Sequence, residues 1–573
     1  ASILDINDLG VGTHTYTFKA TATSVSIILG TMTLSGQEKY SNVSLKEITD
    51  ADFDFDRNST GTRVNEDYLI EDVPYNLLRY TEAISTDFGV TDVTLTDNYS
   101  LSPSGTQTST RAQLTNLGQS RAFNTITGSV VSGQSYTFSC HYKGTQGQTV
   151  YINALPVGGT EVSKAITLNG GWQRESVTFT AGSSSNYVYF VDSRKGGTAT
   201  DFEVWGAQLV KGDQPKDYLK TTDRLDIPRI DYTNGEPSIL LEPSRTNLIP
   251  HSGDFSNSSY IKTATTATGG FLSPEGNLNA YKLSEDSTNS IHRIYQTATV
   301  TSSPNATISV YVKYNGRRFV LMRIADVTVG RWYDLLSGEL GGIYAGTPNE
   351  SSIEPLANGW YRITIGHTVS SQSRFELWIQ DTESISAYQG DGTSGIYIYG
   401  TQVEVGSYPT SLIHTSGSAV TRSADSANNA GNSDLINSTE GVLYAEIKAL
   451  ADDATNRRIS LSDGTVTNLM YISYKNYTNQ IRAEIIASGS TVFDTTYSAT
   501  NITTFSKIAL KYKQNDFSLY IDGVEIAVDT SGNTPSGLSK LALDRGDNAD
   551  YFYGNVKMVA VFKEALTDLE LEK

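Results

Sequence analysis

The side chains best suited to chemistry lie near the end of the chain. Tyr474, Asn476 and Tyr477 fall in a short polar stretch, and Tyr551, Phe552 and Tyr553 follow an acidic loop. Flat rings beside amide and carboxylate groups suit a sugar: the ring covers its apolar face, and the polar groups serve its hydroxyls. Tyr474, Asn476, Tyr477, Tyr551 and Tyr553 are therefore the candidate carbohydrate contacts. The competing reading is that these tyrosines plug the ends of sheets. An oxygen-seeking cation such as structural calcium could use Asp463, Asp544 and Asp547. Polar turns explain the same residues, and no other cofactor is expected.

Other chemistries lack their residues. Cys140 is the one cysteine, so a disulfide within the chain and a thiolate zinc site are both excluded. It lies in the alternating run Tyr136–Tyr142 and reads as a packing residue. The six histidines, at 14, 141, 251, 292, 367 and 414, form no H-x-x-x-H pair. There is no Gly-x-Ser-x-Gly elbow and no phosphate loop. Glu446 and Glu484 each stand alone among apolar neighbours. Arg545-Gly-Asp547 reads as a turn. The net charge of −19 and pI of about 4.8, with lysines and arginines scattered, exclude nucleic acid as a partner. No apolar run approaches the ~18 residues of a membrane helix, and Ala1–Leu9 lacks the basic and apolar regions of a signal peptide.

The elements that must position these residues are strands. Ile308, Val310 and Val312 alternate with polar neighbours, as do Phe375, Leu377 and Ile379, and Leu443, Ala445 and Ile447. Period two with tight-turn residues between runs predicts antiparallel sandwiches. Asp522-Gly523 between two alternating runs predicts a hairpin. Thr567 before Asp568-Leu-Glu570 predicts a capping box and a short final helix.

The chain also repeats itself. Asn76-Leu-Leu, Gly171-Trp172-Gln-Arg174 and Trp205-Gly-Ala-Gln208 recur as Asn247-Leu-Ile, Gly359-Trp360-Tyr-Arg362 and Tyr399-Gly-Thr-Gln402. Trp172, Trp205 and Trp360 are assigned to cores. The expected organisation is the back half of such a module at 1–49, a hairpin connector at 50–74, one module at 75–222, a second connector at 223–246, and a second module at 247–416. A Ser/Ala/Asn-rich linker at 417–438 and a different terminal unit at 439–573 follow. The half module would expose Phe18, Ile27 and Leu29 unless covered, so either a homo-oligomer, threefold, or missing upstream strands are expected.

Three resemblances follow. Lys507–Tyr512, Leu519-Tyr-Ile-Asp-Gly-Val-Glu525 and Tyr553–Lys557 leading to Phe562–Thr567 resemble the laminin-G-like, concanavalin A-like sandwich. The repeated module resembles carbohydrate-binding-module jelly rolls. Arg57–Asn65, Pro228–Tyr232 with Leu240–Leu248, and Thr410–Asp425 resemble segments of phage tail-fibre and minor virion proteins. The E-x-D-x-x-E string of laminarinase-type concanavalin A-like hydrolases does not occur. Together these imply an all-β chain of tandem jelly rolls ending in a concanavalin A-like sandwich. They imply a non-enzymatic virion appendage, extracellular, contacting other virion proteins and binding a cell-surface polysaccharide through its terminal unit. A ligand-free spacer or capsid or tail decoration protein, and a secreted bacterial polysaccharide-binding or polysaccharide-degrading protein, are the alternatives.

Overall fold

The computed structural model describes residues 51–573, except 58, 74, 128–129, 131–132, 183–184, 223–227, 301–304, 370–371, 385 and 573. The half module expected at 1–49 lies outside the described residues. The all-β expectation is borne out: antiparallel strands carry the described chain, and its α-helix is Asp568–Leu571, closed by the Thr567–Glu570 capping box.

The first sandwich packs two five-stranded sheets. One runs Gln173–Thr180, Ser135–Gly144, Asp201–Lys211, Thr110–Leu114, Val93–Thr96; the other runs Val162–Thr167, Thr149–Pro156, Ser185–Asp192, Arg121–Thr127, Gly89–Thr91. Cys140 is buried between them, and burial pushes its thiol up to about 12.

The second sandwich repeats this order and adds one hairpin, Glu339–Ala345 and Glu350–Pro355, that contributes a strand to each sheet. Trp172 and Trp360 both stand at the entry of the strand that pairs with the neighbour of the closing strand of its sheet. Their surroundings differ. Trp360 is 1 % exposed, whereas Trp172 is half-buried, donating from Nε1 to the Leu101 carbonyl at 3.1 Å. The core assignment of Trp172 is thus corrected: no counterpart of the Tyr311, Tyr399 and Leu412 cluster closes over it. Trp205 is buried against Tyr218 and His141.

The repeat extends to polar detail. Asn76 donates to the carbonyls of Ala207 and Leu219 and accepts from the N–H groups of Leu78 and Leu209. Asn247 does the same with Thr401, Ile413, Ile249 and Val403. Both side chains are fully buried. Each uses its full amide to tie the opening segment to the closing strand, as a buried polar group must. Each closing strand bulges beside a glycine with positive φ, Gly206 (65°) or Gly400 (58°). A Cβ on Gly400 would sit 3.0 Å from the Tyr311 ring.

The terminal sandwich recruits chain from far upstream. Its larger sheet runs Arg229–Asp231, Ser238–Leu241, Gly554–Phe562, Glu440–Ala449, Ser506–Lys513, Asp516–Ile521, Val524–Asp529, so the second connector supplies two of its strands. The last two join through Asp522-Gly523, both with positive φ. The other sheet runs Ser490–Ser498, Gln480–Ala487, Leu469–Tyr474, Arg457–Ser462, Lys540–Ala542. Phe55, Leu241 and Ala427 enter its core.

The linker expected at 417–438 is corrected. Val420–Arg422 pairs with Arg245–Asn247, and Ser426–Asn428 pairs with Asp54–Asp56. Between these strands lies a buried charge cluster of Arg57, Arg229, Arg422, Glu242 and Asp425, none more than 3 % exposed. Arg229 bonds Asp425 and reaches Glu242 at 2.5 Å. Arg422 lies 2.7 Å from Glu242, and Arg57 lies 3.3 Å from Asp425. Ser411 donates its N–H and hydroxyl to Glu242. Small polar residues suggested flexibility, but the charges need one another once out of water, and that fixes the segment.

Burial opposes the charge on Glu242, yet Arg422 and Arg229 hold its pKa down at about 2. Its stabilisation is present above the ordinary value of about 4.5 and is lost as pH falls through its folded value. Protease cleavage within 415–438 should therefore appear between pH 4.5 and 2. Removing one partner, Asp425→Ala, should cost about 3–5 kcal/mol in a denaturant melt, because Arg57 and Arg229 lose a counter-charge. A loss under about 0.5 kcal/mol would contradict the cluster's role.

Candidate functional site

The candidate residues separate when placed. Tyr474 ends the strand Leu469–Tyr474, and alternation puts Met470, Ile472 and Tyr474 into the core. It is 1 % exposed, donates to the Ile447 carbonyl at 3.1 Å and lies 6.0 Å from the Phe552 ring. It is corrected from a surface contact to a core residue. Asn476 and Tyr477 remain exposed, with the Lys475 ammonium 5.4 Å from the Tyr477 ring centre. Tyr551 and Tyr553 are half-buried and stacked 6.2 Å apart, while Phe552 between them is buried. Burial, then Tyr551, pushes Tyr553 up to about 12.

The three aspartates are occupied locally. Asp463 accepts from the Thr465 N–H (2.8 Å) and hydroxyl (2.6 Å) and from Asn468 (3.0 Å). Asp544 is buried and accepts from the Gly546 N–H; Asp547 is paired with Arg545 at 2.6 Å. Among the described residues no group of three or more His, Cys, Asp or Glu side chains is placed to hold a metal. Glu446 and Glu484 lie on opposite sheets of the sandwich. Glu484 bonds the Tyr471 hydroxyl and lies 3.2 Å from Arg482, a neutralised arrangement.

The loops around these residues meet at one end of the terminal sandwich. Asn476 donates its N–H to Asn456, Asn479 to Asp452, and Arg458 to the Asp550 carbonyl. The Asn479 side chain accepts from the Ile502 N–H. This end faces the second jelly roll, not open solvent alone, and lines a cleft of about 1010 Å3.

The sandwich contributes Lys448, Leu450–Asp453, Asn479 and Asn501 to one wall. The opposite wall is the outer face of a jelly-roll sheet, with Thr307, Glu350, Ser352, Glu354 and Arg362. The connector hairpins close a third side through Tyr68, Asp231 and Asn234. Arg362 is fixed by Ser309 and the Thr410 carbonyl, at 2.9 and 2.5 Å. Lys448 reaches Asn234 at 2.6 Å, joining terminal sandwich to connector. Burial, then the charge of Glu354, raises the pKa of Glu350. Neither Glu350 nor Glu354 forms an ion pair among the described residues. Across the cleft Asp452 accepts the Asn479 N–H, and Asp453 is paired with Arg457 at 2.7 Å.

The cleft thus offers amides, hydroxyls and the carboxylates of Glu350 and Glu354, a surface suited to a hydroxyl-rich ligand. The sequence reading missed it because its walls come from four distant segments. The alternation that sends Glu350, Ser352 and Glu354 outward was the available signal.

Residues 422–572 match the family model of the concanavalin A-like lectin/glucanases superfamily. The match begins at Arg422, inside the strand Val420–Arg422 that pairs with Arg245–Asn247. No curated protein matches the chain. Among solved structures, the CBM40 of Ruminococcus gnavus IT-sialidase bound to alpha2,3 sialyllactose is 18 % identical, covering 24 % of this chain and 82 % of its own, with a TM-score of 0.21. The CBM22-1–CBM22-2 tandem of Paenibacillus barcinonensis Xyn10C is 11 % identical, covering 58 % and 98 %, at 0.22. Domains LG4-5 of the mouse laminin alpha1 chain are 9 % identical, covering 54 % and 96 %, at 0.17. At such scores these likenesses do not bear on function. The terminal region, from Arg422 onwards, is a concanavalin A-like sandwich.

Placement of the tyrosines gives opposite expectations for two neighbours. Tyr474→Ala should cost about 3–5 kcal/mol of stability, as large-to-small changes in cores do. Tyr477→Ala should stay within about 0.5 kcal/mol. Denaturant melts of the two variants check this; equal midpoints would contradict the placement.

Proposed function

We propose that this chain is a non-enzymatic glycan-binding component of a phage virion appendage, with the glycan held in the cleft between second jelly roll and terminal sandwich. The observation that carries the reading is the cleft itself, lined by amides and hydroxyls at the loop end of a concanavalin A-like unit. Tyr477, Asn476 and the Tyr551–Tyr553 pair lie on loops of the same end and extend the surface beyond it. The virion placement is supported by the likeness of the three connector segments to tail-fibre sequences. A trimer of such chains would turn weak single sites into useful avidity. Structural calcium belongs to this proposal only as an addition to loops that already satisfy their aspartates.

One observation favours a second reading, polysaccharide hydrolysis. Burial and the charge of Glu354 raise the pKa of the Glu350 carboxyl in the cleft, the direction a general acid needs. Glycosidases need a second free carboxylate within ~5–9.5 Å. Glu354, four residues along the same strand, has its Cα about 13 Å away at ~3.3 Å per residue. Both aspartates on the facing wall are engaged.

A glycan array probed with the full chain tests the proposal. Binding is expected, and Ser352→Trp, which fills the cleft from the half-buried outer face of its strand, should abolish it without moving the melting temperature. Tyr477→Ala should weaken it several-fold. Full binding by a folded Ser352→Trp would overturn the cleft assignment, and a silent array would favour the spacer role. Release of reducing sugar that disappears in Glu350→Gln would favour the hydrolase.

A further inference from the structure

The second jelly roll carries another polar face, on the sheet opposite the one that lines the cleft. In this sheet Ile294, Val320, Met322, Phe375, Leu377 and Ile379 point into the core. Alternation therefore sends Arg293, Tyr295, Arg323, Arg374, Glu376 and Trp378 to the outer face. Pairing sets them side by side: Arg293 opposite Trp378, Tyr295 opposite Glu376, and Arg323 opposite Glu376 from the other flank.

The result is a ladder of cations and rings. Arg293 lies 5.3 Å from the Tyr295 ring centre and 5.5 Å from that of Trp378. Arg323 lies 5.1 Å from Trp378 and 5.0 Å from Tyr344. Arg374 lies 5.6 Å from Tyr295. Gly330 makes the close approach of Arg323 and Tyr344 feasible: a Cβ there would come within 2.9 Å of one and 3.0 Å of the other.

The charges do not balance. Arg323, Arg374 and Arg293 share the single carboxylate of Glu376, at 2.9, 3.3 and 3.4 Å, and Trp378 donates to it as well. Glu376 is 1 % exposed, whereas the Arg293 and Arg374 side chains are 28 % and 41 % exposed. The Nε groups of Arg293 and Arg323 are buried without a hydrogen bond. Nearby acids are engaged elsewhere: Asp326 takes the Arg374 backbone N–H, and Glu383 that of Gly342. A stabilising pair would need one guanidinium. Three, in a chain of net charge −19, leave two positive charges held rigid beside half-buried rings.

We propose that this face is a second glycan site, selective for an acidic saccharide whose carboxylate or sulfate sits between Arg293, Arg323 and Arg374. Guanidiniums offer paired donors to planar oxyanions, and Tyr295 and Tyr344 flank the position a sugar ring would take. The site is independent of the cleft, which lies on the other sheet.

Calorimetry of the full chain in 20 mM salt, with hexagalacturonate, a heparin hexasaccharide and cellohexaose as probes, tests it. At least one acidic probe should bind and cellohexaose should not bind here; which acidic probe is tighter assigns carboxylate or sulfate. Arg293→Gln/Arg374→Gln should weaken that binding at least tenfold, as should 300 mM salt, while Ser352→Trp leaves it unchanged. If the double variant is misfolded by circular dichroism, Arg374→Gln alone, at the most exposed of the three, should still weaken binding measurably. The proposal is overturned if neither acidic probe binds at millimolar concentration, if cellohexaose competes equally, or if the folded arginine variants bind like the parent.

Discussion

Five charged side chains buried where three connectors meet set the arrangement of everything downstream of the first jelly roll. Arg57 comes from the first connector, Arg229 and Glu242 from the second, Arg422 and Asp425 from the third. Removed from water, such groups are tolerable only while paired. Each connector is thereby committed to the other two. The backbone follows: Glu242 and Asp425 exchange N–H donors, and the short strands on either side align. Hydrophobic burial alone would allow the connectors to slide, because apolar contact is not directional. Arg229, whose two terminal nitrogens reach Glu242 and Asp425 separately, does not allow it.

This constraint explains why the cleft can be a site at all. Its walls belong to the second jelly roll and the terminal sandwich, and its side to the connector hairpins. The second connector pairs as Ser238–Leu241 with the terminal strand Gly554–Phe562 and continues through Glu242 into the chain that opens the jelly roll at Asn247. One short segment therefore serves both units. Asn247 then ties that opening to the closing strand, so the position of the sheet face bearing Glu350 and Glu354 traces back to the same cluster.

Alternation made the sandwiches legible, and the recurring Asn-Leu, Gly-Trp and Gln motifs revealed the two modules. The role of Asn76 and Asn247 was not legible, since the partners of each lie up to 166 residues away. The charge cluster was less so: Arg57 and Asp425 are 368 residues apart, and nothing local marks an arginine as buried. The polar composition of 417–438 pointed to a linker because composition reports solubility, not pairing. Tyr474 was misplaced for a different reason. The turn residues after it drew attention to the loop, although Met470 and Ile472 before it already set the inward phase. Tyr477, three residues on, is the ring that the loop exposes. The arginine ladder was written in alternation too, at Arg374, Glu376 and Trp378, but its charge excess became visible only when neighbouring strands were placed beside it.

The claim on which the rest depends is that the connectors are locked, and hydrogen exchange of the full chain reads it directly. Amides within Val420–Asn428 and Arg229–Leu241 should exchange as slowly as those of the terminal core strands Glu440–Ala449 and Ser506–Lys513, because opening them means separating the buried charges. Exchange of Val420–Asn428 within seconds, at the rate of an unpaired linker, would contradict the account.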